Sequence, residues 1–86
     1  MDQARINELT KMVVAIRRAE AETKGVLLST FPEANGSLCV YAGPAGDPHR
    51  EKAVYSASEH ASDKFVENGL NELVDELVSD VLVKEQ

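Results

Sequence analysis

Tryptophan is absent from this 86-residue sequence, cysteine occurs once, and only four side chains are Phe or Tyr. The single cysteine, Cys39, excludes an internal disulfide and a zinc site built from several cysteines. With so few aromatic residues, we expect a core made mostly of valine, leucine, isoleucine and alanine. No apolar run approaches the roughly 20 residues needed to cross a bilayer. The polar start Met-Asp-Gln-Ala-Arg does not resemble a signal segment, so the sequence predicts a cytoplasmic protein.

Basic residues are also scarce, with nine Lys and Arg against fifteen Asp and Glu and a net charge of −6. Acidic and basic residues balance as far as Ser58, and residues 59–86 carry the whole net charge. Nucleic acids and anionic membranes are bound through clustered Lys and Arg. Here only Arg17 and Arg18 are adjacent. We therefore expect no direct nucleic-acid partner and no membrane partner.

The length allows one small core, so the sequence predicts a single domain over residues 1–86. Apolar residues at helical spacing predict a helix from Asp2 to about Thr23, with Asp2 as N-cap and Gly25 just after the C-terminus. The face predicted to be buried carries these apolar residues: Ile6, Leu9, Met12, Val13, Ile16 and Ala19.

Three short runs of aliphatic, β-branched and aromatic residues predict strands at 26–31, 38–42 and 52–56. The first two flank a segment containing Asn35-Gly36, which indicates a hairpin. Between the second and third strands, residues 43–48 concentrate Gly and Pro and predict an exposed loop.

A second helix is predicted over residues 57–83, with Ser56 and Glu59 forming a capping box. Asn68-Gly69 predicts a kink or a break, which would give helices at 57–67 and 69–83. The order predicts an α+β domain in which a helix, a three-stranded antiparallel sheet and a helix follow each other, with both helices on one face. On this assignment, aspartate at Ile16 or Leu77 should unfold the domain.

No residue pattern indicates catalysis. The Gly43–His49 loop lacks the spacing of phosphate-binding motifs, and two prolines remove N–H donors. Asp47, His49 and Glu51 alternate, but their spacing is not that of a recognised metal site. Cys39 lies within a strand among apolar neighbours and lacks an activating base nearby in sequence. We expect no enzyme, no cofactor and no metal. The exposed loop, through Pro44, Asp47, Pro48 and His49, is a candidate protein contact.

The predicted order of elements resembles that of the double-stranded RNA-binding domain, whose Gly-Pro…His loop is similar to Gly43-Pro44 and His49. That family carries a basic cluster at the start of its last helix. In this chain residues 59–64 read Glu-His-Ala-Ser-Asp-Lys and keep only one of those charges. The loop also follows the second strand here and the first strand in the family. We therefore transfer no binding residue from it.

Four carboxylates lie opposite the apolar face of the last helix: Glu72, Asp75, Glu76 and Asp80. Glu72–Glu76 and Glu76–Asp80 are like-charge pairs that each destabilise an isolated helix by roughly 0.2–0.5 kcal/mol. Solubility is the commoner reason for such a surface. The functional hypothesis is a small adaptor or inhibitor whose acidic helix docks on a basic protein surface. One specific version is that it masks a nucleic-acid-binding site of the partner. The alternative is a small-ligand or nucleotide-binding domain that uses the Gly43–His49 loop.

The apolar arc of this helix is wide enough to predict a homodimer. One stripe runs through Leu70, Leu73, Leu77 and Val81, and a second through Val74, Val78 and Leu82. We expect a small sheet and one helix to cover only the first stripe, and a large exposed apolar patch usually marks an interface. In the competing arrangement, a break at Asn68-Gly69 lets one chain bury both stripes.

Overall fold

The fold is an α+β domain in the predicted order, and the computed structural model describes residues 1–84. Its elements are α1 (Gln3–Thr23), β1 (Val26–Pro32), β2 (Leu38–Pro44), β3 (Glu51–Val54) and α2 (Asp63–Lys84). The strands form one antiparallel sheet in the order β1-β2-β3. Alternate strand residues, among them Leu28, Val40 and Ala42, share one buried core with both helices. The helices therefore pack on the same face of the sheet, as predicted.

Both predicted ends of α1 are confirmed, but part of its predicted core face is wrong. The Asp2 carboxylate accepts a hydrogen bond from the Arg5 N–H at 2.9 Å, and Gly25 follows the helix with φ of +78°. Ile16, however, is 73% exposed, and Met12 is also exposed. The buried residues are Ile6, Leu9, Thr10, Val13, Val14 and Ala21. Helical spacing is compatible with burying Val13 together with either Met12 and Ile16 or Thr10 and Val14. Contact with the sheet and α2 buries the set that includes Val14.

The strands differ from the predicted ones at their ends. β1 extends to Pro32 and β2 to Pro44, whereas β3 begins at Glu51 and ends before Tyr55. Prolines fit there because the β1–β2 ladder does not need their missing N–H groups. The ladder is flanked by hydrogen bonds from Ala45 N–H to Gly25 O at 3.0 Å and from Glu33 N–H to Ser37 O at 2.9 Å. Since bonded and non-bonded pairs alternate, the pairs Val26–Pro44 and Pro32–Leu38 are both non-bonded.

The predicted start of the second helix is wrong. α2 begins at Asp63, and its N-cap is Ser62, whose hydroxyl accepts a hydrogen bond from the Phe65 N–H at 3.2 Å. Ser56 and Glu59 do not form a capping box at a helix start, because residues 55–62 connect β3 to α2 without regular structure. Ser56 and Ser62 both satisfy the local preference for an N-cap. The chain must first connect the end of β3 to the start of α2, so the helix begins after Ser62.

The predicted break at Asn68-Gly69 is also wrong, because α2 is continuous from Asp63 to Lys84. Gly69 lies against the side chain of Tyr55, which follows β3. A Cβ atom at position 69 would be 2.5 Å from that ring. The close approach of Tyr55 therefore explains the glycine at this position.

We expect Gly69→Ala to destabilise the protein by about 1 kcal/mol, although alanine is the better helix former. Displacing the Tyr55 ring resembles overpacking, which costs about 1–3 kcal/mol, against a gain of about 1 kcal/mol in helix propensity. In a Tyr55→Ala background the same substitution should be stabilising. Urea denaturation of the four proteins of this cycle measures both signs. Stabilisation by Gly69→Ala in both backgrounds would contradict the steric explanation.

The surface named for a homodimer is mostly covered within the chain. Val74 and Val78 are buried at 1% and 7% exposure, and Leu82 is partly buried against the same core. Val78 and Leu82 lie beside Arg17 of α1 and Lys24, which caps that helix, so the second apolar stripe faces α1 while the first faces the sheet. One unbroken α2 thus places both stripes against the rest of the chain. The homodimer stays a prediction, but the apolar stripe through Val74, Val78 and Leu82 no longer provides its contact surface.

Candidate binding groove between strand β3 and helix α2

An open groove of about 740 Å³ runs between β3 and the solvent side of α2. Its apolar lining includes Ala53, Tyr55, Leu73 and Leu77, and exposed Phe65 lies along it. Lys84, at the end of α2, forms an ion pair with Glu51, at the start of β3. Tyr55, just past the end of β3, meets Gly69 in the first half of α2. These two contacts show that α2 runs antiparallel to β3, so the groove has a strand on one side and a helix on the other.

Three of the four predicted partner-binding carboxylates line this groove. Glu72, Glu76 and Asp80 follow each other at intervals of four residues, are exposed, and share the groove lining. Within residues 1–84, none of the three has a salt-bridge partner. We call these three residues the acidic row. The row forms the helix side of the groove and concentrates negative potential there.

The fourth carboxylate, Asp75, points to the other side of α2 and is bound within the chain. The Arg17 guanidinium of α1 pairs with Asp75 and donates a hydrogen bond to the Asn71 side-chain oxygen at 2.9 Å. The hydrogen bond with Asp75 raises the pKa of Arg17. Arg5 pairs in the same way with Asp63, and its hydrogen bond lowers the pKa of that carboxyl group. These arginines join the two helices, so Asp75 has an intramolecular role.

The strand side of the groove is an open sheet edge. On β2, the alternation of the β1–β2 ladder directs the backbone groups of Val40 and Ala42 toward β3. These residues pair with Ala53 and Glu51. It follows that the N–H and C=O groups of Lys52 and Val54 point away from β2. Among the described residues, the N–H groups of Lys52 and Val54 on that edge donate no hydrogen bond.

The predicted contact loop is folded on itself. The Asp47 carboxylate accepts a hydrogen bond from the His49 N–H at 2.8 Å, and the Asp47 N–H donates to Pro44 O at 3.2 Å. Arg50 donates to the backbone oxygens of Asp47 and His49. Pro44, Pro48 and His49 are thereby held in a compact turn beside a hollow of about 280 Å³. Most of its N–H groups are used internally or absent, which disfavours a phosphate cradle.

The other candidate chemistry finds no support in the geometry. Cys39 is fully buried, and burial raises the pKa of its thiol, the opposite of what activates a cysteine nucleophile. In the part of the chain that the structure describes, no three His, Cys, Asp or Glu side chains converge as metal ligands would. Nor does any helix of residues 1–84 have the length and apolar character needed to cross a membrane.

Sequence reasoning identified the acidic row but missed the strand side of the groove. Lys52 and Val54 carry no local signal of an open edge, because the order of strands in a sheet depends on contacts distant in sequence. Phe65 also lies at apolar helical spacing with Leu73 and its neighbours, yet its side chain is 63% exposed. Its exposure follows from the late start of α2, which places it in the first turn beside the groove.

Comparison of this chain with protein-family models, with curated proteins and with solved structures found no significant match.

Proposed function

We propose that this protein is a non-catalytic interaction module, a small adaptor or inhibitor, whose acidic row on α2 docks on a basic surface of a partner protein. The observation that supports the proposal is the position of Glu72, Glu76 and Asp80. They lie together along an open groove, and no cation within residues 1–84 forms a salt bridge with them. By contrast, Asp63 and Asp75 on the same helix are paired with arginines of α1.

Electrostatics is consistent with a cationic partner for the row. Neighbours in the row repel each other at i,i+4 spacing by roughly 0.2–0.5 kcal/mol per pair. A row of basic side chains would replace this repulsion with attraction and would increase the rate of association at low salt. Basic protein surfaces often bind phosphate groups. Masking a nucleic-acid-binding site of the partner is therefore the specific form of the proposal.

The alternative, a small-ligand or nucleotide site in the Gly43–His49 loop, has weaker support. Its prolines provide no N–H groups, and the N–H groups of Asp47 and His49 are already bound within the loop. Arg50, the adjacent cation, is itself bound to loop carbonyls. Within residues 1–84 the acidic row forms no salt bridge, so the interaction module is the better-supported function.

Two charge-matched variants test the proposal. In the first, Glu72→Gln, Glu76→Gln and Asp80→Asn remove the row. In the second, three exposed glutamates elsewhere (Glu8, Glu22 and Glu59) become glutamine, so both variants lose the same charge. Binding to a panel of lysine-rich peptides at low and moderate salt is measured by calorimetry. We expect about a tenfold loss of affinity for the row variant only, with binding to the parent protein weakened by salt. Equal losses for the two variants would indicate attraction to net charge alone and would contradict the proposal.

A further inference from the structure

We propose that the groove binds its partner as an extended strand, which pairs with the open edge of β3 and places basic side chains against the acidic row. This inference rests on the proposed function and specifies the form of the partner. Adding a strand to an exposed sheet edge is a common mode of peptide recognition, in which backbone hydrogen bonds provide affinity and side-chain contacts provide specificity.

The open edge supplies the backbone part of the site. Lys52 and Val54 direct their N–H and C=O groups into solvent at the edge of the sheet where β3 and α2 line the groove. The opposite edge is less available. There, Arg18 donates to Leu28 O at 3.1 Å, and Pro32 provides no N–H group at the end of β1. Of the two sheet edges, only that of β3 adjoins both the groove and the acidic row.

Spacing matches the acidic row to an extended chain. Residues four apart in a helix rise about 6 Å along its axis. Alternate residues of a strand, which point to the same face, are about 6.6–6.8 Å apart. Since α2 runs antiparallel to β3, a strand added to β3 would lie along the row. Successive side chains on its helix-facing side could then reach Glu72, Glu76 and Asp80 in turn.

The other side of an added strand would meet a different surface. The cross-strand row Phe31–Cys39–Val54 lies on the sheet face opposite α1 and α2, which we call the uncovered face. Phe31 and Val54 are exposed, and Phe31 packs edge-on against Tyr41 with ring centroids 6.0 Å apart. Apolar side chains of the added strand would extend this row. The site therefore fits a segment in which basic and apolar residues alternate.

Charge argues against a second copy of this chain as the occupant. Pairing two β3 edges about a two-fold axis would bring two acidic rows together and place Lys52 opposite or beside its counterpart. The chain has a net charge of −6, which opposes such pairing. A lysine on a short edge strand also discourages edge-to-edge association. The occupant is thus a basic segment of a different protein.

The test uses an octapeptide of alternating lysine and threonine, blocked at both ends, as the probe. Hydrogen exchange of the protein should slow at the Lys52 and Val54 amides by about tenfold or more when the peptide is bound at saturation.

Val54→Pro removes one outward N–H without removing a bond of the β2–β3 ladder. We expect it to weaken binding about tenfold. Val54→Ala keeps the N–H and truncates only the side chain, so as the matched control it should weaken binding clearly less than Val54→Pro.

A peptide-side control tests the same backbone bonds. In antiparallel pairing, the peptide residues whose N–H groups face β3 have side chains on the uncovered sheet face, and these are the threonines. N-methylation of the threonines should abolish binding, while N-methylation of the lysines should preserve most of it. Equal binding of the two methylated peptides would overturn strand pairing.

The outcomes separate this inference from the proposed function. If the acidic-row variant loses affinity but Val54→Pro binds like Val54→Ala and the two amides stay unprotected, the partner docks on α2 in another form and the inference is wrong. If the acidic-row variant binds like its charge-matched control, the proposed function fails as well. If the Lys52 and Val54 amides are already protected in a concentration-dependent dimer without peptide, a second copy occupies the edge and the inference is again wrong.

Discussion

Val14→Asp is expected to abolish cooperative folding at 25 °C. Val14 is 1% exposed and belongs to the core shared by α1, the sheet and α2. Burying a carboxylate among apolar side chains costs several kcal/mol, in addition to the lost burial of valine, about 1.5–3 kcal/mol. A domain of this length has an unfolding free energy of only about 4–13 kcal/mol. Circular dichroism during a thermal scan provides the measurement.

Ile16→Asp is the matched control on the same helix. Ile16 is exposed, so the new carboxylate stays hydrated, and isoleucine and aspartate differ little in helix propensity. The variant should melt cooperatively within about 4 °C of the parent protein. This reverses the expectation from periodicity alone, which placed Ile16 in the core. Unfolding by Ile16→Asp, or a parent-like melt of Val14→Asp, would show that α1 buries a different face from the one that contains Val14.

Leu70→Ala should cost about 3 kcal/mol of unfolding free energy and lower the melting temperature by roughly 12–24 °C. Leu70 has no exposed surface and is among the largest fully buried side chains. Its truncation leaves a cavity where α2 packs on the sheet, and close-packed neighbours relax only in part. Urea denaturation followed by circular dichroism measures the change.

Leu73→Ala is its control one turn further along α2. Leu73 is half-buried and lines the groove, so its truncation leaves space that water can enter. We expect a loss of about 1 kcal/mol or less. If Leu73→Ala costs as much as Leu70→Ala, the groove is closed in solution, and a strand could not enter it without displacing the helix.

The main elements could be predicted because their signals are local. Asp2 and Gly25 mark the ends of α1 through side-chain and backbone preferences that act within a turn. The strands follow from short runs rich in apolar and β-branched residues between Gly- and Pro-containing segments. Element ends were less predictable when two local signals competed. Ser56 and Ser62 both suit an N-cap, and only the connection from β3 to α2 decides between them.

Glycine at position 69 had two possible explanations that the sequence does not distinguish. A glycine within a helical pattern indicates either a break or the close approach of another group. The ring of Tyr55 provides the second explanation. The wide apolar arc of α2 was similarly open to two interpretations. Val74 and Val78 are covered once α1 packs beside α2, so a second chain is not needed to bury them.

The sequence by itself determined the order of elements, the absence of clustered basic residues and the acidic character of the last helix, since these depend on composition and on neighbours within a few residues. Tertiary structure alone decided which carboxylates of residues 1–84 form salt bridges. Asp75 and Asp80 look alike along the chain, but Arg17 of α1 pairs with Asp75, whereas Asp80 lies along the groove beside β3. The physical reason is that ion pairing and an open sheet edge depend on which distant segments are brought together, and that information is not carried by any local pattern.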